Sequence, residues 1–451
     1  MSNFRPVDRG TDFLLPPSVD EWLPQRHLAR FVVEIVEQLD LSSMSRTYRG
    51  SGSAAYHPSM LLGLMIYGYA TGVFSSRKLE RATHDSVAFR FIAANQHPDH
   101  DTLATFRKRF LGEIEGLFVT VLQLARQMGM LELGTVALDG TKVQANASRH
   151  SALSYGHAMK IEEQLRREVR ELLDLAEQAD AADLPDALVI PEELERRETR
   201  LAAIARAKAE IEARAAERLA EEQAEYEAKL AAREEKQRLT GKKPGGKPPA
   251  PPTAGPREGD QVNLTDAESR IMKTRQGFEQ CYNAQAAVDT ETMLVLCPGL
   301  TDAGNDKQQV EPILEQLTEL PEELGRVETL LADSGYFSER NVELTREAGL
   351  EPLIALGRES HHRPWQERFT DPPPLTGEAS AVESMAHRLK TREGRDLYAL
   401  RKQTVEPVFG IIKSAMGFRQ FLLRGLENTR GEWSLVTMSW NIKRMFALLP
   451  T

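Results

Sequence analysis

The chain has 451 residues, 41% hydrophobic and 27% charged, which is enough for about three domains of globular rather than disordered composition. Two cysteines, Cys281 and Cys297, exclude a disulfide scaffold and a CxxC metal knuckle and fit a reducing cytoplasm. The net charge of −10 argues against a nucleic-acid binder taken as a whole, but residues 382–451 carry 12 Lys/Arg against 6 Asp/Glu, so a local basic surface is expected there.

The opening segment, MSNFRPVDRGTDF, is polar with an early acid and does not read as a secretory signal. Pro58-Ser59 opens an apolar stretch whose longest run, Met60–Phe74, is shorter than the ~18 residues of a membrane span, so no membrane partner is expected. Ser75-Ser76 then caps a helix carrying Arg77 and Lys78, and Asp85-Ser86 caps another. After the polar turn His97–Asp101, Asp101 caps a third helix, Thr102–Phe118, with an apolar face of Leu103, Phe106, Phe110, Leu111 and Ile114. Its other face carries Arg107, Lys108 and Arg109. Short helices ending in a basic one match a helix-turn-helix DNA-binding module; the plainer reading is an ordinary helical bundle with a solvated basic face.

The texture changes at Gly134–Asp139 (GTVALD), a strand-like run that ends in an acid. Val327–Asp333 (VETLLAD) ends the same way. Between them, Gln280–Val288 and Thr292–Pro298 read as a hairpin, Leu350–Leu356 as a further strand, and Lys307–Leu317 and Glu339–Ala348 as helices. Strands alternating with helices imply a mixed α/β sheet. Tyr155–Leu239 interrupts this pattern with Ala/Glu/Arg/Leu-rich helical spacing broken at two prolines, which predicts a helical hairpin. Lys242–Pro256 (KKPGGKPPAPPTAGP) reads as a disordered linker, with Lys242, Lys243 and Lys247 near phosphates or simply solvated.

Side chains at the carboxyl ends of strands in an open α/β sheet gather at one site, so Asp139 and Asp333 are expected to meet. A third acid, Glu406, lies in Tyr398–Lys413 (YALRKQTVEPVFGIIK). At ~100° per residue, Tyr398, Lys402, Glu406 and Lys413 share a stripe if this is one helix. Pro407 either kinks that helix or starts a new one. Three carboxylates without His or Cys favour a hard cation, Mg²⁺ or Mn²⁺, and two such ions suit in-line phosphoryl displacement.

These stretches resemble the DDE transposases of bacterial insertion sequences over nearly the whole chain. VALDGTKVQANAS (136–148), GFEQCYNAQAAVD (277–289), LLADSGYFSERN (330–341) and YALRKQTVEPVFGIIK (398–413) are similar to the family's catalytic blocks. YHPSMLLGLMIYGYATGVFSSRKLERA (56–82) and HPDHDTLATFRKRF (97–110) resemble its DNA-binding region. The resemblance implies an RNase H-like α/β core with an all-α N-terminal domain and a helical-hairpin insertion. It implies two Mg²⁺ or Mn²⁺ ions per site, with Asp139 bridging both, Asp333 holding one and Glu406 the other. It implies Lys413 on end phosphates, and either Arg401 or Lys402, with Tyr398, toward DNA. Arg401 lies five residues before Glu406, whereas a well-known branch has its arginine four before, where Lys402 stands here. That branch also carries its insertion later in the chain.

The organisation expected is a helix-turn-helix-like DNA-binding domain over 1–130, a catalytic core over 131–154 and 271–420, the insertion over 155–240, a linker over 241–270 and a C-terminal helical segment over 421–451. The function expected is binding of the element's terminal inverted repeats, metal-dependent hydrolysis at the ends and transfer of the 3′-OH to target DNA. This would be done by a homodimer or larger assembly on paired ends in the cytoplasm, associated with the nucleoid. Other readings are a catalytically silent or domesticated DNA-binding protein and an RNase H-like nuclease without strand transfer. A phosphatase of the haloacid-dehalogenase type also has Asp-Gly-Thr, but needs a second Asp where Thr141 stands.

Single features also carry plainer readings. Asp139 and Asp333 are turn caps in that view, and Glu406 a helix-start acid. Asn283 and Gln285, two apart on a strand, either face the site or a polar edge. Asp302, Asn305 and Asp306 cap a helix or lie behind the site. His361-His362 and Trp365 belong to a solvated loop, and Trp433 and Trp440 to the core.

Overall fold

The computed structural model describes residues 18–48, 55–178, 190–241, 245–357, 370–375 and 379–450. They form two compact units, one from residues up to 144 and from 282 onward, the other from 145–281.

The first unit begins with helices α1 (Val19–Trp22), α2 (Leu28–Glu37), α3 (Ser42–Arg46), α4 (Pro58–Thr71), α5 (Ser76–Asp85), α6 (Val87–Ile92), α7 (His100–Arg109), α8 (Leu111–Gly116) and α9 (Phe118–Gln127). α4 starts with Pro58 at its first position, where a missing N–H costs nothing, and ends at Gly72, whose φ of +87° suits glycine. Leu61 to Ala70 are buried all round, as a helix hydrophobic on every side requires, and α4 packs on α2 and on the last helix of the chain. The single helix expected over Thr102–Phe118 is instead three. Phe110 leaves helical geometry at ψ 19°, Gly112 and Gly116 weaken the path, and the chain turns at Leu117. The cap of α7 is Asp99, whose carboxylate accepts from Thr102 N at 2.7 Å, rather than Asp101.

The six-stranded sheet combines β1 (Leu133–Gln144) with five strands from later in the chain. In the second unit, β2 (Ala152–Ser154) leads into α10 (Tyr155–Gln178) and α11 (Ile190–Thr240), followed by β3 (Gln261–Asn263) and β4 (Arg270–Thr274). β2 and β3 pair antiparallel. The two helices pack through Leu165, Ile204, Ala207 and Ile211 against Leu153, Ala158 and Val262. Arg197–Glu168 and Lys208–Glu162 contacts at 2.8 and 2.6 Å add ion pairs between them. Residues 245–260 run back along α11 rather than hanging free. Arg218 donates to Gly255 O at 3.3 Å and holds Asp260 at 2.9 Å, so backbone carbonyls and an acid find fixed partners.

β5 (Gly277–Asp289) begins in the second unit, where it pairs antiparallel with β4, and continues into the first. There it is joined by β6 (Val295–Thr301), β7 (Gly325–Ala332) and β8 (Glu351–Ile354). β6 pairs antiparallel with β5, and the order continues through β1, β7 and β8. β1–β7 and β7–β8 are parallel. Helices α12 (Val310–Thr318), α13 (Glu339–Glu347), α14 (Ala381–Arg388), α15 (Arg392–Ser414) and α16 (Leu426–Leu448) complete the unit. The mixed sheet with an all-α N-terminal part is the fold class expected. α16 is its central post. Trp433 and Trp440 donate to Gln285 O and Met293 O at 3.0 and 2.9 Å, and the buried Asn441 amide bonds both N and O of Val295. Both tryptophans are core, as their spacing predicted.

Candidate active site

β1 does not stop at Asp139 but runs on beside β5 to Gln144, which also exchanges backbone hydrogen bonds with Arg419 and Phe421 at 3.1 and 2.8 Å. The two acids still meet. Leu138 stands opposite Ala332 in the parallel register, so the next residue on each strand is the acid. β7 ends there, and Asp333 enters a turn whose Gly335 N–H donates to its Oδ1 at 2.7 Å. Gly140 N donates to Asp139 Oδ1 at 2.8 Å. A side chain at Gly140 would overlap the Gln285 amide and come within 2.9 Å of Asp306 Oδ1, so glycine here allows β5 side chains to approach β1 closely.

Glu406 arrives on α15, which is one continuous helix with Pro407 inside it. Proline has no N–H, so the carbonyl of Gln403 loses its helical donor, and the exposure of Gln403 lets water replace it. The same helix places Arg401 and Lys402 in different surroundings. Arg401 is 7% exposed and faces the acids, while Lys402 is exposed. Arg401 Nη1 donates to Asp139 Oδ2 at 3.1 Å and Nη2 to Glu406 Oε1 at 3.2 Å, with the guanidinium 6.0 Å from the Tyr398 ring centre. Its Nε is buried and finds no partner among the described residues. Lys413 bonds Thr141 Oγ1 and Lys142 O, both at 2.6 Å, and so ties α15 to the far half of β1.

The electrostatics follow from this crowding. Burial pushes the Asp139 carboxyl up to about 6; the Gly140 N–H and Arg401 oppose this, and the charges of Asp333 and Glu406 add to it. The acids surround the Arg401 guanidinium instead of converging. Among the described residues, no group of three His, Cys, Asp or Glu side chains is arranged to hold one metal ion. The donor set is nevertheless all hard oxygen, and the side-chain carbonyl oxygen of Asn283, beside Gly140, is buried and finds no partner among the described residues. That chemistry fits a divalent cation with oxygen ligands.

Asn283 and Gln285 face this site rather than an outer edge. Asn283 Nδ2 and Gln285 Nε2 both donate to Asp306 Oδ1, at 2.7 and 2.8 Å. Gln285 Oε1 accepts from the hydroxyl of Tyr336. Burial first, then the charges of Asp306, Asp139 and Asp333, hold that phenol far above its usual range, so it stays a donor. Tyr336 was not singled out from sequence, although it lies three residues after the second acid.

On the N-terminal helices, Arg77, Lys78, Lys108 and Arg109 are exposed, and Arg109 lies 5.7 Å from the Tyr48 ring centre. Arg107 does not belong to that surface. It is 8% exposed and donates to Tyr69 OH and Phe74 O at 3.1 and 3.2 Å. Tyr69 in turn donates to Glu432 Oε1 at 2.8 Å, and Glu432 Oε2 accepts from Leu422 N and Leu423 N. The guanidinium turns inward because a wholly buried carboxylate, which nothing in the local sequence announces, needs a nearby cation. His361, His362, Trp365, Lys242 and Lys243 lie outside the described residues.

Two acids at adjacent strand ends and a third on a facing helix, with basic groups around them, define a nucleic-acid-processing enzyme. Residues 17–109 match the family model described as Transposase domain (DUF772), and residues 249–442 match Transposase DDE domain. The chain belongs to the DDE transposases of insertion elements, and its mixed sheet is the RNase H-like core of that class. The family implies DNA as partner and generally uses divalent metals. The second match includes Asp333 and Glu406, and Asp139 lies between the two matched stretches. No curated protein and no solved structure matches the chain.

Proposed function

We propose that this transposase binds the terminal inverted repeats of its own element, cuts at each end and joins the freed ends to target DNA, with Asp139, Asp333 and Glu406 as its catalytic acids. The observation that carries this reading is the Leu138–Ala332 pairing, which sets Asp139 and Asp333 side by side, with Glu406 bound to the same arginine as Asp139. The three acids would hold two Mg²⁺ or Mn²⁺ ions, which supply charge neutralisation and Lewis acidity at the phosphate when bound.

Water attacks the end phosphorus and the P–O3′ bond breaks, leaving a 3′-OH on the element and a 5′-phosphate on the flank. That 3′-OH then attacks a target phosphorus in line, and the target 3′-oxygen leaves. No side chain forms a bond to DNA. Arg401 orients Asp139 and Glu406 and lends positive charge where the phosphate enters. Tyr336 and Gln285 fix the wall behind the acids. Lys413 holds the β1 backbone beside Asp139 and presents its charge to the end phosphates, and Lys402 and Tyr398 flank the DNA path. Arg77, Lys78, Lys108 and Arg109 contact the end duplex through its phosphates. Two ends held together imply two or more copies of the chain.

The test is a labelled duplex carrying the element end, incubated with a target plasmid, Mg²⁺ or Mn²⁺, and either wild-type protein or Asp333→Asn. End-specific nicks and joined product from the wild type alone support the reading. Nicks without joined product favour a nuclease, and binding without cleavage favours a silent DNA-binding protein. Cleavage by Asp333→Asn would remove the second acid from the mechanism.

A further inference from the structure

Asp306 precedes a short 3₁₀ turn, Lys307–Gln309, and its side chain makes no capping bond to it. The carboxylate instead turns toward the acids. Oδ1 accepts from both β5 amides, Asn283 Nδ2 and Gln285 Nε2. Oδ2 lies on the side of the Asp333 turn, 3.6 Å from where a Cβ on Gly335 would stand. Lys142 Nζ is 3.8 Å from Oδ1 and donates to Gly304 O at 3.2 Å, so it leans on the loop more than on the carboxylate.

The decisive atom is Asn283 Oδ1. Because Nδ2 is committed to Asp306 and Ala303 O, the carbonyl oxygen must point the other way, to within 3.1 Å of where a Cβ on Gly140 would stand. Asn283 is wholly buried, and this oxygen finds no donor among the described residues. An unsatisfied buried acceptor costs roughly 1–3 kcal/mol, which is a reason to look for the donor it is built to meet. The Gln285 amide and Asp306 Oδ1 stand beside the same glycine, but Gln285 Nε2 donates to Asp306 and not to this oxygen. A water molecule bound to a cation is a strong donor of the right kind, and Mg²⁺ usually keeps several of its waters.

We infer that Asp306 and Asn283 are a positioning pair for the hydrated cation beside Asp139 and Asp333, taking hydrogen bonds from its water molecules rather than bonding the ion. The inference rests on the reading of Asp139 and Asp333 as cation ligands. Asp306 acts twice in this scheme: its Oδ1 aims the Asn283 carbonyl, and its negative charge attracts the ion.

Mn²⁺ is titrated into the full chain without DNA, and the free ion is read by electron paramagnetic resonance. Asp306→Asn keeps an oxygen able to accept from both amides and removes only the charge; Asn283→Ala keeps the charge and removes the carbonyl. Each is expected to weaken Mn²⁺ binding, Asp306→Asn by about 10–100-fold as for other residues that support a metal's ligands. Mn²⁺ is also expected to raise the melting temperature of each variant less than that of the wild type. Wild-type affinity in Asp306→Asn overturns the inference, and so does failure of that variant to fold, since Asp306 is then structural. Asp139→Asn separates the two readings. If it loses Mn²⁺ binding while Asp306→Asn does not, only the inference fails; if it binds as the wild type does, the assignment of the acids fails first and the inference with it.

Discussion

Arg401 stands 3.1 Å from Asp139 and reaches across to Glu406 with its other terminal nitrogen, so one guanidinium holds the first and third acids on elements far apart in the chain. Its planar fork makes two directed bonds at once, which a lysine ammonium on a flexible stem does not reproduce. Arg401→Lys is therefore expected to retain the fold and lose about 10²-fold in end cleavage, the scale of removing one positioned donor. Melting curves alongside cleavage rates check this, and cleavage within about threefold of wild type would show that the fork is dispensable.

The raised pKa of Asp139 predicts a pH dependence in metal-free buffer. Its folded value of about 6 lies above the 3.8 of a free aspartate, so the folded state binds the proton more tightly. Stability from this group is thus greatest below about 4 and declines as pH rises through about 6, by on the order of 3 kcal/mol. Urea unfolding from pH 4 to 7 with EDTA should show this decline in the wild type, and a flatter curve for Asp139→Asn. Coincident slopes would mean that burial does not raise the Asp139 carboxyl.

Divalent cations should act on the same repulsion. Mn²⁺ at neutral pH is expected to raise the melting temperature of the wild type, because an ion bound only by the folded state shifts the equilibrium toward it. The shift should shrink in Asp333→Asn and in Glu406→Gln. An equal shift in all three proteins would place the ion elsewhere.

The inward turn of Arg107 separates it from the exposed basic residues of the N-terminal helices. Lys108→Ala and Arg77→Ala are expected to weaken DNA binding and lower the slope of log affinity against log salt by about 1 each. Arg107→Ala should leave that slope unchanged and lower stability by about 3 kcal/mol, since it strips the cation from a buried carboxylate network. A filter-binding salt series with paired melts decides it. The opposite pattern would put Arg107 on the DNA.

Gly140→Ala is expected to damage the site more than the fold. The added methyl meets Gln285, Asp306 and Asn283 at once, and overpacking of this kind costs about 1–3 kcal/mol. A modest drop in melting temperature with near-complete loss of cleavage is the expected result; wild-type cleavage would show that the β5 amides can retreat freely.

The elements legible in the sequence were those announced by local chemistry. Apolar runs ending in Asp139 and Asp333 read as strands, the prolines and alanines of 155–240 as helices, and Pro58 as a helix start. What escaped depended on partners distant in the chain. The polar end of β1 is a strand because β5 lies beside it, with one further bridge from Gln144 to residues 419–421. Arg107 looks like its neighbours until Tyr69 and Glu432 are placed beside it. The choice between Arg401 and Lys402 needed the rotational phase of α15, which Pro407 obscured. Asp306 has the sequence of a cap, and only the amides of β5 draw it away from that role.

The chain leaves the first unit at Gln144 and returns to it at Tyr282, and just beyond these points Ala145 N donates to Gln280 O at 2.9 Å. The long excursion between them therefore ends one hydrogen bond from where it began. Joining β1 to β5 across an open chain of that length carries a loop-closure penalty, and the penalty falls away once residues 145–281 have closed on themselves. The segment that interrupts the catalytic strands in sequence thus begins and ends at one place, so its length adds little to the distance its two ends must bridge.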